Sequence, residues 1–144
     1  MKDYILLDGD IVIFNPTFGL ATVVVQPGLL SGSSDDTLQG KALCVEGDEA
    51  NVSVPGCTYT AGSFITPGVG TLKIDALGPD QVAQQTKTAG KAALLKGSMF
   101  NAKFEVQTPA QQPQPTGPPV SDPNPMYMGG TGRFETTNQT WQGL

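Results

Sequence analysis

The sequence predicts a mainly β protein of short strands and tight turns. Residues 41–74, KALCVEGDEANVSVPGCTYTAGSFITPGVGTLKI, carry the clearest signal. Brief apolar runs there are broken every few residues by Gly, Pro or acidic pairs, a rhythm that builds strands and reversals rather than helices. The composition agrees: 18 glycines and 12 prolines in 144 residues supply many turns. Only 15% of residues are charged, which separates the chain from charge-rich disordered sequences. Apolar residues at 38% and aromatics at 7% are lean for a globular protein, and the length suits one domain with a tail.

Taken in order, residues 4–14 read as a strand pair or one bent strand. Ile11, Val12, Ile13 and Phe14 are strand formers, and Asp8-Gly9 ahead of them is a turn dipeptide. Asn15-Pro16 stops that run. Residues 20–25 (LATVVV) form a second run, ended by Pro27-Gly28, and the polar stretch 32–40 reads as an exposed loop. Residues 41–46 form a third strand, turned by Gly47-Asp48-Glu49. Residues 51–54 form a fourth, ended by Pro55-Gly56, with 57–60 pairing back. Residues 69–75 alternate at the period of a half-buried strand. In residues 79–90, Asp80 is placed to cap one or two helical turns over 81–87. Residues 92–96 and 103–108 read as strands around a turn at Gly97-Ser98. Gly-rich turns recur along the chain without a fixed period, so no internal repeat is assigned.

Composition changes at residue 109. The segment PAQQPQPTGPPVSDPNP favours extended polyproline geometry and excludes helix or central strand. The expected division is a β body over 1–108 and a Pro-rich C-terminal extension over 109–144. Tyr127, Phe134 and Trp141 are the expected anchors by which this end packs back on the body or onto a partner.

Charge and motifs exclude several classes. The net charge is −5 and basic residues are scattered, so nothing neutralises a phosphate backbone and nucleic-acid binding is not expected. No apolar run approaches the ~20 residues of a membrane-spanning helix. Asp3, Asp8 and Asp10 interrupt any secretory signal, so synthesis in the cytoplasm without a signal peptide is expected. The chain has no histidine, which removes the usual base for a Ser or Cys nucleophile, and no catalytic residue is assigned. The acidic groups Asp8/Asp10, Asp35/Asp36 and Glu46/Asp48/Glu49 each sit beside Gly or Ser and read as turn formers. Gly68-Val69-Gly70 and the 129–132 stretch lack the strand and helix context of a phosphate loop. Cys44 and Cys57 are expected as buried free thiols, with a Cys44–Cys57 disulfide as the second reading. A mixed site of both thiols with carboxylates is the only metal arrangement available, and an atypical one.

The runs L-C-V-E-G-D-E, V-S-V-P-G-C and P-G-V-G-T-L-K-I, then residues 93–111 and the ending G-T-G-R-F-E-T-T-N-Q-T-W, resemble in matching order the PAAR-like proteins of contractile injection systems. The likeness extends to extracellular, phage-tail-like particles of the antifeeding-prophage type. It implies a small cone of short strands seated on a trimeric β-helical spike, one copy per trimer. It also implies a structural rather than enzymatic role, transient contact with the target membrane during puncture, and in some members effectors carried at the tip. Many members hold zinc with three histidines and a cysteine; without histidine that ligand set is not carried over, and the Pro-Ala-Ala-Arg signature is missing too. The alternative is a small adhesion module with Tyr59, Tyr127 and Trp141 lining one concave ligand patch.

Overall fold

The computed structural model describes residues 3–88 and 90–143. Strand dominates them, as expected, and the one short helix is a 3-10 turn at Asp48–Asn51. The chain makes three out-and-back excursions. After β1 (Asp3–Tyr4), the first goes out on β2 (Ile11–Phe14), turns through β3 (Thr17–Phe18) and comes back on β4 (Ala21–Val23) and β5 (Gly28–Leu29). A hairpin of β6 (Thr37–Leu38) and β7 (Lys41–Ala42) leads to the second, out on β8 (Ser53–Ala61) and back on β9 (Phe64–Ala76). A second hairpin, β10 (Val82–Thr88) with β11 (Lys91–Leu94), leads to the third. It goes out on β12 (Phe100–Thr108) and crosses a proline-rich segment carrying β13 (Gln111–Gln112) and β14 (Val120–Ser121). It comes back on β15 (Met126–Glu135), and β16 (Gln142–Gly143) then pairs with β1.

The excursions share one antiparallel sheet in the order β3-β4-β8-β9-β12-β15-β2-β5. The sheet curls until its ends meet. The run 21–29 bonds β8 through β4 (Val23 opposite Tyr59) and β2 through β5 (Val12 opposite Gly28), so one piece of chain joins both ends. Closure satisfies the edge groups that an open sheet leaves unpaired.

Period-two alternation sets what is inside. Val12 and Phe14 on β2, Val54, Cys57 and Tyr59 on β8, and Phe100, Ala102 and Phe104 on β12 are all buried in one core. Phe104 sits between Tyr59 (ring centroids 5.1 Å) and Phe18 (6.2 Å), and Phe100 between Phe134 (5.0 Å) and Phe14 (5.6 Å). Aromatic pairs at such separations add to the stabilisation from burial. Gly130 on β15 lets the Phe18 ring lie on bare backbone, since a Cβ there would overlap the ring.

Several expectations are corrected. Residues 81–87 hold β10, not a helix. β11 supplies pairing partners for Val82, Lys87 and Thr88 across a register shift, which overrides a weak helical preference, and the Asp80 carboxylate is taken by the Ser98 N–H (2.9 Å) and hydroxyl (2.7 Å). Pro55-Gly56 does not end a strand. A bulge between Val54 and Cys57, with Gly56 at φ 75°, carries β8 straight through. The stretch 32–40 is not a wholly exposed loop: it contains β6, and Ser34 is buried. The proline-rich segment packs back as expected, yet β13 also pairs with β9, and β15 lies inside the sheet between β12 and β2. Tyr127 and Phe134 are buried anchors, whereas Trp141 is 40% exposed and is not an anchor buried in the body.

Candidate functional site

Three short segments feed the three excursions: Ile5-Leu6-Leu7, Leu43-Cys44-Val45 and Ala93-Leu94-Leu95. They hydrogen-bond in a closed ring. The Leu6 N–H donates to Leu94 O (2.9 Å), the Leu94 N–H to Cys44 O (3.0 Å) and the Cys44 N–H to Leu6 O (2.9 Å). The flanking residues repeat the pattern: Leu7 bridges Leu43, Val45 bridges Ala93 and Leu95 bridges Ile5. One position further on, Asp8 N–H bonds Ala42 O (2.8 Å), Glu46 N–H bonds Ala92 O (2.8 Å) and Lys96 N–H bonds Tyr4 O (2.9 Å). Each of these backbone contacts between segments recurs for the other two, so this layer has threefold pseudosymmetry.

The layer has two buried faces. Leu6, Cys44 and Leu94 belong to the large core of the closed sheet. Ile5, Leu7, Leu43, Ala93 and Leu95 form a second cluster with Ala83. Three two-stranded ribbons enter the layer, again in equivalent register: Tyr4 opposite Gln142, Ala42 opposite Thr37 and Ala92 opposite Lys87. Two ribbons are local hairpins, and the third joins the two ends of the chain.

Each segment leaves the layer through a turn with glycine at its centre: Asp8-Gly9-Asp10, Glu46-Gly47-Asp48 and Lys96-Gly97-Ser98. Asp10 accepts the Leu7 N–H (2.7 Å) and Asp48 the Val45 N–H (2.8 Å), which is why acids stand there. At the third turn Ser98 replaces the acid, and Leu95 N–H bonds Gln81 O (2.8 Å) instead. A buried polar clasp joins neighbouring ribbons, with Thr88 bonded to both Ser34 and Asp36. Asn138 fixes the third ribbon by donating to Ile5 O (2.9 Å) and Trp141 O (2.7 Å).

Clefts open between the ribbons. One of about 330 Å³ is lined by Asp3, Asp80, Val82, Gln84 and Leu95. Another of about 540 Å³ lies between the β10-β11 ribbon and the turn at 46–49, lined by Glu46, Glu49, Lys87, Lys91 and Ala92. Neither lining pairs a nucleophile with a base.

The opposite end lacks this symmetry. Its three reversals are unlike: residues 15–20, the tight turn at Gly62-Ser63, and the long crossing 109–125. A polar knot holds the crossing down. Buried Asp122 accepts from Tyr59 (2.8 Å) and Tyr127 (2.6 Å) through Oδ2 and from Asn124 N–H (3.0 Å) through Oδ1. The Tyr59 oxygen in turn accepts the Ala110 N–H (2.9 Å). Burial opposes ionisation of Asp122, but hydrogen bonds led by Tyr127 outweigh it and hold the carboxyl below its usual range. Burial and the carboxylate push the Tyr59 hydroxyl up to about 12.

Cys44 stands in the symmetric layer and Cys57 on β8, both buried as free thiols. Burial, reinforced by Asp48, Asp10 and Asp8, pushes the Cys44 thiol far up. Burial also raises Cys57, against a backbone hydrogen bond at Gln26. Metals bind thiolate, and among the described residues no three His, Cys, Asp or Glu side chains gather as a ligand set. The zinc implied by the PAAR resemblance therefore does not fit these residues. Tyr59 and Tyr127 are buried near the far end with rings 5.8 Å apart, while Trp141 lies by the symmetric layer. The three rings do not share a concave patch.

The profile of the contractile injection system spike tip protein family matches residues 1–144, the whole chain. The chain belongs to that family. A comparison with curated proteins finds no match. A spike tip is a structural part of an assembled injection particle, associated with its spike and baseplate rather than with a reaction. The sequence reading missed the threefold layer. Its signal was Gly40-Lys41-Ala42 and Gly90-Lys91-Ala92, each followed by three apolar residues, one charged residue and Gly, a pattern that Ile5–Gly9 repeats without the Gly-Lys-Ala lead.

Proposed function

We propose that this spike tip caps a trimeric β-helical spike, one copy per trimer, with the three-ribbon end seated on the spike and the closed sheet pointing forward for puncture. The observation that carries this is the ring of equivalent hydrogen bonds among Leu6, Cys44 and Leu94. A single chain meets three identical chains equally well only where it presents the same geometry three times. The ribbons do so and the far end does not. A PAAR-like relation, a phage-tail-like particle of the antifeeding-prophage type and effectors carried at the tip belong to the same reading.

The test is to mix purified chain with the spike trimer of the same gene cluster and measure mass and melting. The expected product is one tip per three spike chains, and excess spike raises the tip's melting temperature, because a partner that binds only the folded state stabilises it. Charge reversal at Lys41 or Lys91 weakens the complex and changes at Ile65 do not. A spike trimer that leaves the melting temperature unmoved and elutes apart from the tip overturns the reading.

A further inference from the structure

The exposed charges of this chain are confined to one end. On the first excursion no charged residue occurs over 11–34, and on the second none over 50–72. On the third, 106–132 contains only Asp122, which is 3% exposed and tied to two tyrosines. Each excursion thus sheds charge on leaving the symmetric layer and regains it only on return. The outermost charged cluster is the Lys73–Glu105–Lys103 group on β9 and β12. Beyond it lie uncharged Thr, Ser, Gln and Asn among exposed apolar side chains. Leu20 (80% exposed) belongs to the first excursion, Ile65 (65%) to the second and Val120 and Met128 to the third. In the β9-β13-β14 ribbon Thr66, Gln111 and Ser121 align, which brings Ile65, Gln112 and Val120 to one row.

We infer that this far end is a charge-free surface made to enter a lipid bilayer, indifferent to the charge of the headgroups it meets. Moving a charged side chain to the middle of a bilayer lowers partition on the order of a hundredfold, whereas Leu, Ile and Val favour the transfer. Sheet closure adds a second condition for entry, since backbone groups in hydrocarbon must be bonded internally. A protein partner fits less well. Interface hot spots are rich in Trp, Tyr and Arg. Here Tyr59, Tyr127 and Phe18 are buried, and the exposed side chains are aliphatic or small and polar. The inference relies on the spike-tip reading only for which end leads.

Trp141, the chain's single tryptophan, lies at the ribbon end and serves as an internal control. The full chain and the double variant Ile65→Trp/Trp141→Phe are mixed with phosphatidylcholine vesicles brominated along the acyl chain. The expected result is strong fluorescence quenching in the double variant and little in the parent chain. Quenching is the same when a third of the lipid is phosphatidylglycerol, and it is insensitive to salt. Adding Leu20→Asp and Val120→Asp lowers partition at least about tenfold and leaves spike binding at the parent level. An unquenched double variant overturns the inference, as does partition that needs phosphatidylglycerol and vanishes with salt. If the charged variants lose the spike instead of the vesicles, the far end is a protein seat and the inference falls. Partition of a chain that ignores the spike removes the seating proposal and leaves this one standing.

Discussion

At the ribbon end, three segments with little sequence in common adopt one geometry; at the far end, three reversals adopt three. Ile5–Leu7, Leu43–Val45 and Ala93–Leu95 share only apolar character, yet their backbone bonds superpose cyclically. Residues 15–20, Gly62-Ser63 and 109–125 share neither length nor conformation. Backbone geometry is therefore held constant where a symmetric partner is proposed, and loop length is free where none is. Side-chain identity follows a different rule: the far reversals share their lack of exposed charge, which the ribbons do not.

The largest expected effect sharpens that comparison in the layer. Leu94→Asp puts a carboxylate between the layer and the sheet core with no partner, and should abolish folding at ordinary temperature, visible as loss of cooperative melting. Phe104→Ala tests the sheet rather than the layer. It removes the ring that Tyr59 and Phe18 pack against and should cost about 3–5 kcal/mol in denaturant unfolding. The knot over the far crossing comes next. Tyr59→Phe leaves Ala110 N–H without its acceptor and Asp122 with one donor fewer, a loss of about 1–3 kcal/mol, while spike binding stays at the parent level.

The same knot gives the molecule its pH limits. The carboxyl of Asp122 titrates lower in the folded than in the unfolded chain, so its contribution is present above the unfolded value of about 3.9 and is lost as pH falls through the folded one. Asp122→Asn should flatten that acid limb of the melting profile. At the other extreme, Tyr59 keeps its proton up to about 12 when folded. Unfolded tyrosine releases its proton near 10, so stability should fall between about pH 10 and 12. The smallest effect is at the exposed Arg133–Glu135 pair (3.2 Å), where Arg133→Ala should change stability by no more than about 0.5 kcal/mol.

Strand runs such as Ile11–Phe14 were legible because β-branched residues and turn dipeptides act locally. What escaped depended on distant pairing. Residues 81–87 carry no strong strand preference of their own and become β10 only because Lys91–Leu94 offers a register. Composition marked 109–144 as an extension packing back on the body or onto a partner, but not the contact by which Asp122 ties it to Tyr59 on β8. The repeat stayed hidden because its units are unequally spaced and its first copy lacks the Gly-Lys-Ala lead. Of the site, the two thiols were read as buried and free because Cys behaves as a small apolar residue, whereas the ring uses backbone atoms that no side-chain motif announces.

The third ribbon has a consequence for biogenesis. Two of the ribbons are contiguous in sequence and can form while the chain is still being made. The third pairs Asp3 with Gly143, so that ribbon stays unpaired until residues 142–143 have left the ribosome, although all three segments of the ring emerge much earlier. Under the seating proposed above, translation products that stop short of this stretch present two formed ribbons where three are needed, and a spike trimer has a geometric means of refusing them.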